Sequence, residues 1–140
     1  MKYGELKALC SALLVGDNKL SSNDADIKAL LTLAFNDIAN RAQSLRLLTK
    51  SQNKEILRGS VGDYLTRYPD LPENDDSELD MDKDLCYAAA RFIASYVSKN
   101  KPDVHKLEGE KIILLFNSKV NSMFESFMID EKGDGYYVSN

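Results

Sequence analysis

At 140 residues and 15.7 kDa, the chain has the size of a single domain that can bury its own hydrophobic core. Its net charge of −4 is unevenly spread: eight acids lie between Asp70 and Asp84 against one base, Lys83, so the rest of the chain is net positive. No basic stripe of the kind that follows a phosphate backbone is present, and no apolar stretch approaches the ~18–20 residues of a helical membrane span, so neither a sequence-reading nucleic-acid protein nor a membrane protein is expected.

In the first segment Leu6, Leu9, Cys10, Leu13 and Leu14 recur at steps of three and four, which predicts a short amphipathic helix ending near Gly16-Asp17-Asn18. The run Ala8–Val15 has the outline of an export core. Glu5 and Lys7 interrupt it, and no small-x-small cleavage pattern follows Val15. Lys7 also stands where a lipoprotein signal ending at Cys10 needs an aliphatic residue, so export is not expected. Cys10 and Cys86 both sit among apolar residues without partners at metal-ligand spacing, which points to buried free thiols.

Ser21-Ser22-Asn23-Asp24 supplies side-chain oxygens for capping, with Ser21 and Asp24 spaced as a capping box. A second helix is expected there, its apolar stripe running Ile27, Leu30, Leu31, Ala34, Ile38, Ala42 and Leu45. Next come Leu47–Lys50 and Glu55–Arg58, two short runs that flank Ser51–Lys54 as the arms and loop of a small β-hairpin; continued helix is the competing reading. Gly59-Ser60-Val61-Gly62 should end whichever element precedes it. Asp63–Tyr68 reads as extended before Pro69, because proline pushes its predecessor out of helical geometry.

The acidic run then leads into Leu85-Cys86-Tyr87-Ala88-Ala89-Ala90 and a third helix reaching about Val97. Asp80, Asp82 and Asp84 suit a helix start, where unpaired N–H groups carry partial positive charge. From Leu85 to Val97 only Arg91 and Ser95 are strongly polar, so this helix should be central, with its alanines admitting a neighbouring backbone and Phe92, Ile93, Tyr96 and Val97 filling the core. Lys99 and Lys101 suit a helix end, and Pro102-Asp103 a new first turn, making helices three and four antiparallel neighbours. The fourth helix carries Leu107, Ile113, Phe116, Val120, Met123, Phe124 and Phe127 to about Met128. Gly109 weakens its start by about 1 kcal/mol relative to alanine.

Residues 1–129 thus read as one helical domain and 130–140 as an extended C-terminal tail. The fold class is mainly α, a four-helix bundle-like domain with a small hairpin in the middle.

No residue pattern in the chain spells out a reaction. His105 has no Ser or Cys motif around it and is expected to be exposed at a helix start. Asp130-x-Lys132-x-Asp134-Gly135 follows a calcium loop only in part, with lysine at its third position and the closing glutamate falling beyond Asn140. Asp80-x-Asp82-x-Asp84 has Leu85 where that loop needs glycine. No P-loop or dinucleotide fingerprint is present, so no catalytic, cofactor or metal residue is assigned and no enzyme is expected. Tyr136-Tyr137-Val138 is an apolar cluster behind two glycines; it either packs on its own domain or docks on another protein as a partner-binding arm.

Two N-terminal helices, an irregular middle, Tyr68-Pro69-Asp70-Leu71-Pro72, Leu79-Asp80-Met81-Asp82, and Leu85–Tyr96 before a last long helix resemble the head-to-tail connector (adaptor) proteins of tailed bacteriophages. The likeness covers most of Asp24–Met128 as a pattern. Gly109 and the strength of the acidic run are not features the family requires. The resemblance implies a virion structural protein, present in the host cytoplasm during assembly, that forms a homo-oligomeric, usually twelvefold ring. It implies a portal protein on one side, a tail or stopper protein on the other, and DNA passing unread through the channel, where acids such as Asp75, Asp76 and Glu78 would repel it. A small bacterial helical protein-binding or regulatory domain is the alternative.

Overall fold

A computed structural model of the chain describes residues 1–42, 56–61, 64–67 and 69–132, with side chains described at 1–42 and 69–119. Among these, the elements in chain order are α1 (Tyr3–Leu13), α2 (Asp24–Ala39), β1 (Ile56–Val61), β2 (Tyr64–Arg67), α3 (Lys83–Val97) and α4 (Pro102–Lys132). The mainly helical class expected from periodicity is what forms.

α3 is the centre, packing against α1, α2 and α4. Leu85, Cys86, Ala88, Ala89, Ala90, Phe92, Ile93 and Ala94 are all buried, and each large side chain among them contributes about 1.5–3 kcal/mol by leaving water. The small alanines let α1 come close enough for the Cys10 thiol to lie 3.8 Å from the Ala90 carbonyl oxygen. One side of α3 departs from the expected all-round burial: Tyr87 is exposed.

α4 runs antiparallel to α3, since Lys119 Nζ lies 3.0 Å from Asp84 Oδ2 near one end and Gly109 lies against Arg91 and Phe92 further along. The buried stripe of α4 is His105, Gly109, Ile113 and Phe116. Leu107, expected in the core, is exposed because it lies two residues from His105, about half a turn round the helix. His105, expected at the surface, is buried. Gly109 is the point of closest approach: a methyl group there would meet Arg91 Cβ and the Phe92 ring edge at 3.3 Å. Its cost in helix propensity is the condition for bringing the two helices together.

The connection between α3 and α4 is held by the α1–α2 loop just beyond the end of α1. Asp17 accepts hydrogen bonds from Ser98 Oγ and from the backbone N–H of Lys99, while Asn18 Nδ2 donates to the Val97 carbonyl at 3.1 Å and so satisfies an orphan at the α3 C-terminus. α2 is capped by Asn23, whose side chain accepts from the Ala25 N–H at 3.0 Å. Ser21 instead donates to Asp26 Oδ2, so the expected Ser21–Asp24 capping box does not form. Just past the end of α2, Arg41 is a hub: Nε donates to Glu110 Oε2 at 3.1 Å, Nη1 donates to the Asp37 carbonyl at 2.9 Å, and the guanidinium lies 5.3 Å from the Phe92 ring centroid.

The hairpin falls later than expected. β1 pairs antiparallel with β2, with Ile56 opposite Arg67 and Val61 opposite Tyr64, so Gly59-Ser60-Val61 continues a strand instead of ending one. Irregularities on either side of Arg58 interrupt the ladder. The expected first arm Leu47–Lys50, the loop Ser51–Lys54 and Leu45 of the α2 stripe lie outside the described residues. α4 extends past Met128 to Lys132, which places Asp130, Glu131 and Lys132 in helix and not in a tail. Gly133–Asn140, with the cluster Tyr136, Tyr137 and Val138, lies outside the described residues.

Candidate docking surface

Two surfaces stand out, one acidic and one apolar. The acidic run is a layer laid against the N-terminus. The Tyr3 N–H donates to the Ser77 carbonyl and the Gly4 N–H to the Asp75 carbonyl, each at 2.9 Å, and the Leu79 N–H donates to the Met1 carbonyl. Leu79 and Met81 sink into the core from this layer. The three acids nominated from sequence therefore have different surroundings. Asp75 pairs with Lys7 at 2.5 Å, Glu78 with the amino group of Met1 at 3.1 Å, and Asp76 is exposed, its N–H donating to Asn74 Oδ1. Exposed pairs of this kind contribute about 0–1 kcal/mol each. Their charge is partly neutralised within the chain, which leaves a weaker outward field than the sequence count suggests.

Beneath that layer Tyr3 is buried and its hydroxyl donates to Asp24 Oδ1 at 2.8 Å; burial and then this bond push the phenol above its ordinary range. The same bond, followed by Lys28, draws the Asp24 carboxyl down. Burial raises Cys10 to about 12 and Cys86 to about 11, so both thiols stay protonated and unreactive at neutral pH. Among the described residues no group of three or more His, Cys, Asp or Glu is arranged to hold a metal ion.

The apolar surface is a groove of about 360 Å³ bounded by three helices. α1 supplies Leu9 and Leu13, α3 supplies Tyr87, and α4 supplies Ile112, Leu115 and Phe116, while Asp84, Arg91 and Lys119 form a charged rim. Leu115 is 66 % exposed and Leu114 beside it 67 %, and Val104 and Leu107 extend the apolar exposure toward the start of α4. Arg91 is held at the rim by Nη1, which lies 3.1 Å from His105 Nδ1. A concave apolar floor with charged edges has the chemistry to accept an amphipathic side chain or segment.

This groove was not nominated from sequence, although a signal for it exists. Ile112-Ile113-Leu114-Leu115-Phe116 is five apolar residues in a row, more than the 3.6 of one helical turn, so one buried stripe is too narrow to hold them all.

No protein-family model matches the chain, and neither a curated protein nor a solved structure matches it. No described helix is long and apolar enough to cross a membrane.

Proposed function

We propose that this chain is a structural assembly protein, a head-to-tail adaptor that forms a ring between a phage portal and the tail components. The observation that carries the reading is the exposed apolar surface of α4, Leu114 and Leu115, beside a groove lined by Tyr87 and the partly buried Leu9 and Leu13. Contiguous exposed apolar surface with a polar rim marks a protein contact. The element order supports the same reading: two short helices, a hairpin, a proline-rich acidic lead-in, an alanine-rich central helix and a long final helix. In this role the chain performs no reaction. It assembles, docks on the portal through one face and on a tail or stopper protein through the other, and lines a passage for DNA without contacting bases.

The acidic layer suits such a passage in Asp76 more than in Asp75 or Glu78, whose charges are paired internally. Electron microscopy of purified portal rings with and without the chain tests the proposal. Added annular density on one end of the portal is expected; bare portals at saturating chain would overturn it.

A further inference from the structure

We infer that the outer face of α4 in one copy seats in the α1–α3–α4 groove of a second copy, and the second copy's α4 in the groove of the first, giving a closed two-fold dimer. The occupant is read first from shape. A groove floored by Leu9, Leu13 and Ile112 takes the apolar stripe of an amphipathic helix, whose anchors recur at steps of three and four. Along α4, Val104, Leu107, Lys111, Leu114 and Ser118 are exposed at those steps, with Leu115 at the groove edge. This stripe lies about half a turn from the buried one of His105, Gly109, Ile113 and Phe116. Val15, Leu33 and Leu71, the other large apolar side chains exposed outside the groove among the described residues, stand singly on other elements. The described surface therefore has one apolar ridge of helical spacing, and it runs beside the groove.

A ridge and a groove side by side on one face are self-complementary under a two-fold rotation, which fills both at once and leaves no open end for a third copy. Charge matches in the same sense. The ridge carries the pair Glu108–Lys111 at 3.3 Å, and the groove rim carries Asp84–Lys119 at 3.0 Å. Both pairs are exposed and therefore weak, so their partners exchange at little cost. With two α4 helices antiparallel and the pivot at Leu115, Lys111, four residues before it, faces Lys119 and its partner Asp84, four residues after it on the second copy. Lys111 then pairs with Asp84 of the second copy, and Glu108 takes the released Lys119. A partner of a single charge sign would match only half of these groups. The dimer goes beyond the adaptor reading, on which it rests only for its competitor: the free chain covers with a second copy the face that the portal takes over on assembly.

Sedimentation equilibrium of the full chain tests this, with a mass of two 15.7 kDa chains and no larger species expected. Leu107→Asp and Leu115→Asp should each shift the chain to the monomer, while Leu33→Asp on the exposed part of α2 should leave the dimer; circular dichroism checks that all three keep their helices. The register is read from charge. Lys111→Glu and Asp84→Lys should each weaken dimerisation several-fold alone, and an equimolar mixture of the two should restore it, because the substitutions meet as opposite charges at one end of the mixed dimer and the natural residues meet at the other. A monomer at the highest soluble concentration, a series growing past two, a dimer indifferent to Leu107→Asp and Leu115→Asp, or a mixture no tighter than either charge variant would each overturn the inference. Portal binding is scored separately on the same samples. A dimer without portal binding removes only the adaptor role, and portal binding by a chain that is monomeric throughout removes only the dimer.

Discussion

Arg91 Nη1 lies 3.1 Å from His105 Nδ1, joining the middle of α3 to the start of α4 beside the groove. A guanidinium is always a donor, so the imidazole accepts at Nδ1 and carries its proton on Nε2. Burial and then Arg91 lower the His105 pKa below its ordinary value.

That direction gives a pH dependence with a defined sign. In the unfolded chain His105 takes up a proton below about pH 6.5, whereas in the folded chain it resists doing so. The unfolded state therefore binds more protons, and stability falls as pH drops below about 6.5 toward the lower folded value. Thermal melts between pH 7.5 and 5 should show this fall in the natural chain and a flatter profile in His105→Gln. Equal slopes would contradict a buried neutral histidine.

Asp17 predicts a second window at lower pH. Hydrogen bonds from Ser98 Oγ and the Lys99 N–H hold its carboxyl well below the usual range, so its contribution is present above about pH 4 and is lost as pH falls through the folded value. Asp17→Ala should lower the melting temperature at pH 7 and reduce the acid-induced loss below pH 4. Unchanged melting would show that the α3–α4 connection does not depend on this carboxylate.

Gly109 tests the close approach of α4 to α3. Gly109→Ala gains about 1 kcal/mol of helix propensity and meets Phe92 and Arg91 at 3.3 Å, so the two effects should nearly cancel. Gly109→Leu should destabilise by about 1–3 kcal/mol through overpacking. Urea titration measures both, and stabilisation by leucine would contradict the packing.

The central helix sets the largest contrast. Ala89→Asp or Ile93→Asp places an unpaired charge at a fully buried position and should cost several kcal/mol or abolish folding. Glu73→Ala, on the exposed acidic run, should change stability by less than about 0.5 kcal/mol. Similar losses in the two sets, read by chemical denaturation, would remove α3 from the core.

Helix positions and the burial of α3 were legible because apolar spacing, proline and the alanine run all point the same way. The stripe of α4 was misjudged at its start because its first two members are a histidine and a glycine, which a search for apolar periodicity passes over in favour of Leu107. The hairpin slipped by several residues since Gly59 and Gly62 look like terminators, although a glycine can stand inside a strand at an irregular ladder. Asp17, the ties of the acidic run to residues 1–4, and the groove depend on residues distant in sequence. Each needs the packed helices before its partners can be seen.

The adaptor role is tested most simply by mass photometry of purified portal alone and with saturating chain. A mass gain of one 15.7 kDa chain per portal subunit is expected, in a single discrete step corresponding to a complete ring. A chain that stays monomeric and leaves the portal mass unchanged would contradict it.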